Sequence, residues 1–124
     1  MMGDQDWETC VLLSQALVKI VNEKKVLLVA SSDLSHFHGY RTAVRLDSIV
    51  QDYVKSFDPQ GLSRALATRQ CEACGGGPIV ATMLTSKALG ADGASVLKYA
   101  NSGDVTGDHS SVVGYLAAAI YKGE

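Results

Sequence analysis

The chain has 124 residues, 47% apolar and 19% charged, which suits a single packed core and excludes a disordered tail. Its net charge of −2 lacks the basic footprint of a nucleic-acid binder, and no basic run offers itself to anionic lipid. The longest apolar stretch, Val112 to Tyr121, is too short to span a bilayer, and no charged start precedes an apolar signal region. Three cysteines, an odd number, argue against a closed disulfide framework and for a reducing compartment, so the expected location is cytoplasmic.

In chain order, Asp4 to Asn22 reads as a helix. Leu12, Leu13, Ala16, Leu17 and Ile20 recur at helical spacing, and Asp4, Asp6 and Glu8 suit its positive end. Val26 to Ala30 is a continuous apolar run of strand length, the pattern of a strand covered on both faces. Ala43 to Phe57 is a second amphipathic helix. Asp58-Pro59 ends it and opens a short helix from Gln60 to Thr68. A glycine triplet, Gly75 to Gly77, leads into a helix from Pro78 to Leu89, broken by Gly90 and Gly93. Ser95 to Tyr99 and Ser111 to Tyr121 read as strands joined by a turn-rich loop from Asn101 to His109, with helical character expected around Ala117 to Ala119. The pattern is α/β, with helices flanking a small sheet. So few strands would leave a sheet edge and a helix face uncovered, so the chain reads as part of a fold.

Two segments carry chemistry. Ser31-Ser32-Asp33-Leu34-Ser35-His36 sets a carboxylate and an imidazole three residues apart just beyond the apolar run, where open α/β sheets hold their ligands. Cys71-Glu72-Ala73-Cys74-Gly75-Gly76-Gly77-Pro78-Ile79 sets a thiol where a helix begins, and thiols there tend toward the metal-binding, nucleophilic thiolate. Asp33 fits a helix N-cap or a pocket acid. An Asp33–His36 hydrogen bond would fix the imidazole tautomer, as a general base or an orienting donor requires. His38 reads as a surface residue. Cys74 is either a small buried apolar residue or a reactive thiol.

The Cys-x-x-Cys pair adds two rival readings: a thioredoxin-like redox pair, or zinc held by Cys71, Cys74, His36 and His38. That His-x-His with a single Cys-x-x-Cys matches no common zinc spacing. The acidic loop Asp104 to Asp108 lacks the calcium ligand pattern and its closing Glu, so it reads as turns. No Lys-Ser/Thr follows the glycine triplet and no Gly-x-Ser-x-Gly occurs, which excludes a phosphate loop and a nucleophile elbow.

Several stretches together resemble the Memo family, the B component of the AmmeMemoRadiSam system, related to LigB-type extradiol dioxygenases. They are Gly3-Asp4-Gln5-Asp6, Leu27 to His36, Ala73 to Ile79, Leu97 to Asp104 and Val112-Val113-Gly114-Tyr115, in the family's order and spacing. The resemblance implies a three-layer α/β/α sandwich with a small pocket at the sheet edge, in which metal-binding members hold iron or copper by two histidines and one cysteine. The ligand cysteine falls on Cys74, and the acid and imidazole that line the pocket fall on Asp33 and His36. The two histidine ligands belong to the family's N-terminal half, so residues 1–124 correspond to a C-terminal portion with an incomplete ligand set.

The implied activity is metal-linked redox or oxygen chemistry, with Asp33 and His36 as catalytic residues and Cys74 as metal ligand. LigB relatives use a carboxylate where this family has the cysteine, which sets ring cleavage apart. The alternatives are a peptide- or partner-binding protein without turnover and a small zinc or redox module. The expected partners are a small molecule or peptide and a separately encoded N-terminal half or a second copy, with no nucleic acid and no membrane.

Overall fold

The computed structural model describes residues 2–21 and 24–123. The chain folds as a mixed α/β unit. Helix α1 spans Trp7–Val21, strand β1 His36–His38, α2 Tyr40–Lys55, α3 Pro59–Ala67, α4 Gly76–Ala88, β2 Gly93–Asn101, α5 Gly103–Thr106 and β3 Val112–Tyr121. The sheet is antiparallel throughout, in the order β1-β3-β2. Helix α2 packs on β2 and β3, while α1 and α3 pack on α4. Among the described residues no helix is long and apolar enough to cross a membrane.

Capping chemistry sets the helix starts. The first helix begins at Trp7, not Asp4, because Asp6 acts as its cap: Oδ1 accepts the Thr9 N–H at 2.8 Å. The end expected at Asn22 lies outside the described residues. Asp58 caps α3 in the same way, accepting the Gly61 N–H at 2.9 Å ahead of Pro59 at the first helical position. Such a cap contributes about 1 kcal/mol. Helix α2 starts at Tyr40, ahead of the expected Ala43, with the Tyr40 N–H donated to His109 O at 3.1 Å.

The apolar faces meet in one core, in which Cys10 of α1, Val50 and Val54 of α2, Leu62 of α3, and Val80 and Met83 of α4 are buried with Leu34 and Cys71. Beneath β3 lies a buried polar node. The Asp47 carboxylate, wholly buried on α2, accepts the Ser35 N–H at 2.9 Å and the Tyr99 hydroxyl at 2.7 Å. Gly114 is required beside it, since a Cβ there would fall on the Asp47 carboxylate.

Two strand-level expectations are corrected. Val26 to Ala30 forms no strand: Val26, Leu27 and Val29 are 51%, 85% and 76% exposed, and an apolar groove of about 670 Å³ separates the run from β3. An apolar run signals capacity for burial, whereas a strand also needs a partner edge to bond. The segment around Ala117 to Ala119 is strand, not helix, because it ladders onto β2 from Gly93↔Tyr121 to Asn101↔Gly114. The Asn101–His109 loop holds the single turn α5.

Candidate metal centre

Asp33 and Cys74, forty-one residues apart, are bound to each other in both directions. The Asp33 N–H donates to Cys74 Sγ at 3.2 Å, and the Cys74 N–H donates to Asp33 O at 3.2 Å. The sulfur thus draws on the Asp33 amide, not on helix amides as the glycine-rich start suggested. Ser32 tightens this clamp: its hydroxyl accepts the Gly75 N–H at 2.8 Å and lies 3.8 Å from Cys74 Sγ. Gly75 is what permits the approach, because a Cβ there would sit 2.8 Å from Ser31 O and from Ser32 Cβ. Gln5 braces the other side, its Oε1 accepting the Gly77 N–H at 2.7 Å and its Nε2 donating to Cys74 O at 3.1 Å. One amide side chain thereby satisfies an orphan donor of α4 and fixes the peptide of Cys74.

Asp33 precedes β1, not a helix, so the cap reading of Asp33 is corrected. Its Oδ2 lies 3.5 Å from His36 Nε2. Between them, Leu34 donates to Gly114 O at 2.8 Å and Ser35 O accepts the Gly114 N–H at 3.0 Å, anchoring the loop on β3. β1 is bulged between His36 and His38, with Phe37 at φ 61°. Bulges of this kind re-aim side chains next to sites.

One ligand atom each from Asp33, His36 and Cys74 falls within 4.8 Å of the others. A tetrahedral ion with bonds of roughly 2.0–2.3 Å wants donors roughly 3.3–3.8 Å apart, so modest side-chain rotation suffices. Carboxylate, imidazole and thiolate together suit a borderline or soft transition metal. The donor set fits such an ion.

The other sequence candidates separate from this cluster. Cys71 is buried and free, and burial, with Glu72 and Asp47 adding to it, pushes its thiol up to about 11. A thiol held protonated there is a poor partner for zinc or for redox exchange with the exposed Cys74. His38 is half-buried and paired: Nε2 donates to the Glu72 carboxylate, 3.0 Å from each oxygen. Asp104 is tied up as turn chemistry, accepting the Tyr40 hydroxyl at 2.7 Å and the Asn101 N–H at 2.8 Å.

Beside the cluster opens a cavity of about 550 Å³ whose lining includes His36, Cys74, Arg69, Glu72 and Gln5. The larger groove at Val26 to Ala30 reaches neither His36 nor Cys74. Sequence reasoning did not find the roles of Ser32, Gln5 and Arg69. Ser32 and Gln5 sit inside stretches that resemble the family, but their partners are far along the chain and no local spacing announces them.

Comparison with known proteins agrees with the resemblance. The Memo-like protein family model matches residues 1–119. A MEMO1 family protein of Methanosarcina mazei is 43% identical over 121 residues, covering 96% of this chain and 45% of the relative. One from Methanocaldococcus jannaschii is 37% identical over 118 residues, covering 94% and 41%, and one from Sulfolobus acidocaldarius is 37% identical over 107, covering 85% and 37%. The chain therefore spans less than half the length of these curated relatives. With this match over nearly its whole length, the chain belongs to the Memo-like family.

Proposed function

We propose that Asp33, His36 and Cys74 are the part of a metal-linked redox centre that this chain supplies. The observation that carries the reading is the convergence of three different donor types within 4.8 Å on a clamped loop pair. In this reading Cys74 is the thiolate ligand to iron or copper. Asp33 holds His36 in one orientation through their 3.5 Å contact at Nε2, and His36 serves as acid or base beside the metal. When bound, the metal supplies Lewis acidity and one-electron chemistry. With Cys74 as the ligand this chain supplies, the remaining coordination positions are left for substrate and for ligands from outside this chain, either a separately encoded half or a second copy.

The test is an anaerobic cobalt(II) titration of the whole chain followed by visible absorption. A sulfur-to-metal charge-transfer band in the wild type, absent in Cys74→Ala and weakened in His36→Ala, supports the reading. Cobalt uptake that is unchanged in Cys74→Ala contradicts it.

A second reading, a partner-binding protein without turnover, draws on the exposed Leu27 and Val29 beside the apolar groove. Partner binding that survives Cys74→Ser, with no metal uptake in the wild type, would favour it.

A further inference from the structure

Three helices end in the same backbone motif, and each puts a different residue in its left-handed position. After α4 the residue is Gly90, φ 94°, with the Gly90 N–H on Lys87 O at 3.1 Å and the Ala91 N–H on Ser86 O at 2.9 Å. After α2 it is Phe57, φ 51°, bonded to Val54 O at 3.0 Å while Asp58 bonds to Tyr53 O at 3.0 Å. After α3 it is Arg69, φ 56°, bonded to Leu66 O at 3.1 Å while Gln70 bonds to Ala65 O at 2.9 Å. Glycine takes this position without steric penalty, and any residue with a Cβ takes it against strain. Phe57 recovers that strain through burial, being 7% exposed. Beyond the backbone hydrogen bonds of the motif itself, the Arg69 side chain recovers nothing. It is exposed, and among the described residues its guanidinium makes no ion pair or hydrogen bond.

A left-handed residue whose side chain gains no burial or partner in return is characteristic of functional positions. Arg69 lines the 550 Å³ cavity that His36 and Cys74 also line. The acid nearest in sequence, Glu72, is occupied by His38 at 3.0 Å. Leu34 and Leu66 give the same cavity apolar walls.

We infer that Arg69 is a specificity-determining residue that anchors the carboxylate of a small organic acid beside the Asp33–His36–Cys74 cluster. The inference rests on the reading of that cluster as the reactive centre. A planar guanidinium matches a carboxylate by two parallel hydrogen bonds. No second Lys or Arg lines the cavity, and Glu72 does, so the charge balance favours a monoanion over a phosphate dianion. The apolar walls suit the body of the acid.

The experiment follows the Arg69 Nε–Hε resonance of the whole ¹⁵N-labelled chain during titration with benzoate, with its neutral isostere benzamide and with inorganic phosphate. Thermal melts of wild type, Arg69→Lys and Arg69→Gly accompany it. The expected result is a saturable shift with benzoate, none with benzamide, and phosphate weaker by about tenfold or more. Arg69→Gly binds benzoate at least about tenfold more weakly yet melts at a higher temperature, because glycine relieves the strain. Arg69→Lys keeps part of the affinity. An unmoved Arg69 resonance overturns the inference, as does equal binding of benzamide or phosphate. A lower melting temperature for Arg69→Gly overturns it too, since the residue would then be structural. Cobalt uptake without benzoate binding refutes this inference alone, whereas benzoate binding without cobalt uptake refutes the metal reading alone.

Discussion

Gly114→Ala is the substitution that the packing makes most consequential. The added methyl would fall on the Asp47 carboxylate, which is wholly buried between α2 and β3. Asp47 must then release the Ser35 N–H, the Tyr99 hydroxyl or both, now at 2.9 and 2.7 Å. Each hydrogen bond to a charged group is worth about 1.5–3 kcal/mol, so losing both costs about 3–6 kcal/mol. That is a large share of the roughly 6–18 kcal/mol expected for a domain of this length. Urea unfolding of the two proteins, compared at equal m, measures the loss directly.

A double-mutant cycle isolates the cause. Asp47→Ala removes the obstacle, so adding Gly114→Ala to it should cost less than about 1 kcal/mol more. The steric argument is wrong if Gly114→Ala alone costs under about 1 kcal/mol, or if the two losses simply add. Because Ser35 adjoins His36, the same substitution is expected to weaken cobalt uptake.

Further outcomes follow from charge and exposure. Cys71 holds its proton in the folded state up to about 11 against an ordinary 9.0. The stability this contributes is complete below pH 9 and is lost as pH rises from 9 to 11, about 2–3 kcal/mol in all. Cys71→Ala should flatten that slope in denaturation curves across this window, and an unchanged slope would locate the titration elsewhere. The Asn101 N–H and then the Tyr40 hydroxyl lower the Asp104 carboxylate below its ordinary 3.8. Its contribution is therefore present above 3.8 and lost as pH falls through the lower folded value. Asp104→Asn should make acid unfolding less steep in that range, and an identical acid limb would refute the assignment. Leu27 and Val29 present apolar surface beside an open groove, so the wild type should self-associate in sedimentation velocity and Leu27→Lys/Val29→Lys should not. A wild-type protein that sediments as a clean monomer would contradict this.

The helices were legible in the sequence because their signals are local. Asp58-Pro59 caps and opens α3 within three residues, and Leu89-Gly90 closes α4. The strands were legible only where the chain supplies both partners. β2 and β3 find each other across a short connection, whereas Val26 to Ala30 carries the strand composition but bonds to no edge. β1 was missed because a three-residue bulged strand carries no periodicity.

At the site, local spacing pointed to Asp33, His36 and Cys74, family resemblance gave them roles, and the structure brings them together. The Asp33–Cys74 clamp, the Gln5 brace and the Asp47 node connect residues twelve to seventy-two positions apart, and no local pattern encodes such pairings. Arg69 was invisible for a different reason. Its left-handed backbone follows from where α3 stops, and Thr68-Arg69 gives no glycine to mark that end.

The central claim, that Cys74 holds a metal beside Asp33 and His36, is tested most directly by metal content. Protein purified without oxygen would be measured by elemental mass spectrometry beside Cys74→Ala. The account predicts iron or copper in the wild type and its loss in the variant. Equal metal in the two proteins, or none in the wild type even after anaerobic incubation with iron(II) and copper(I), would contradict it.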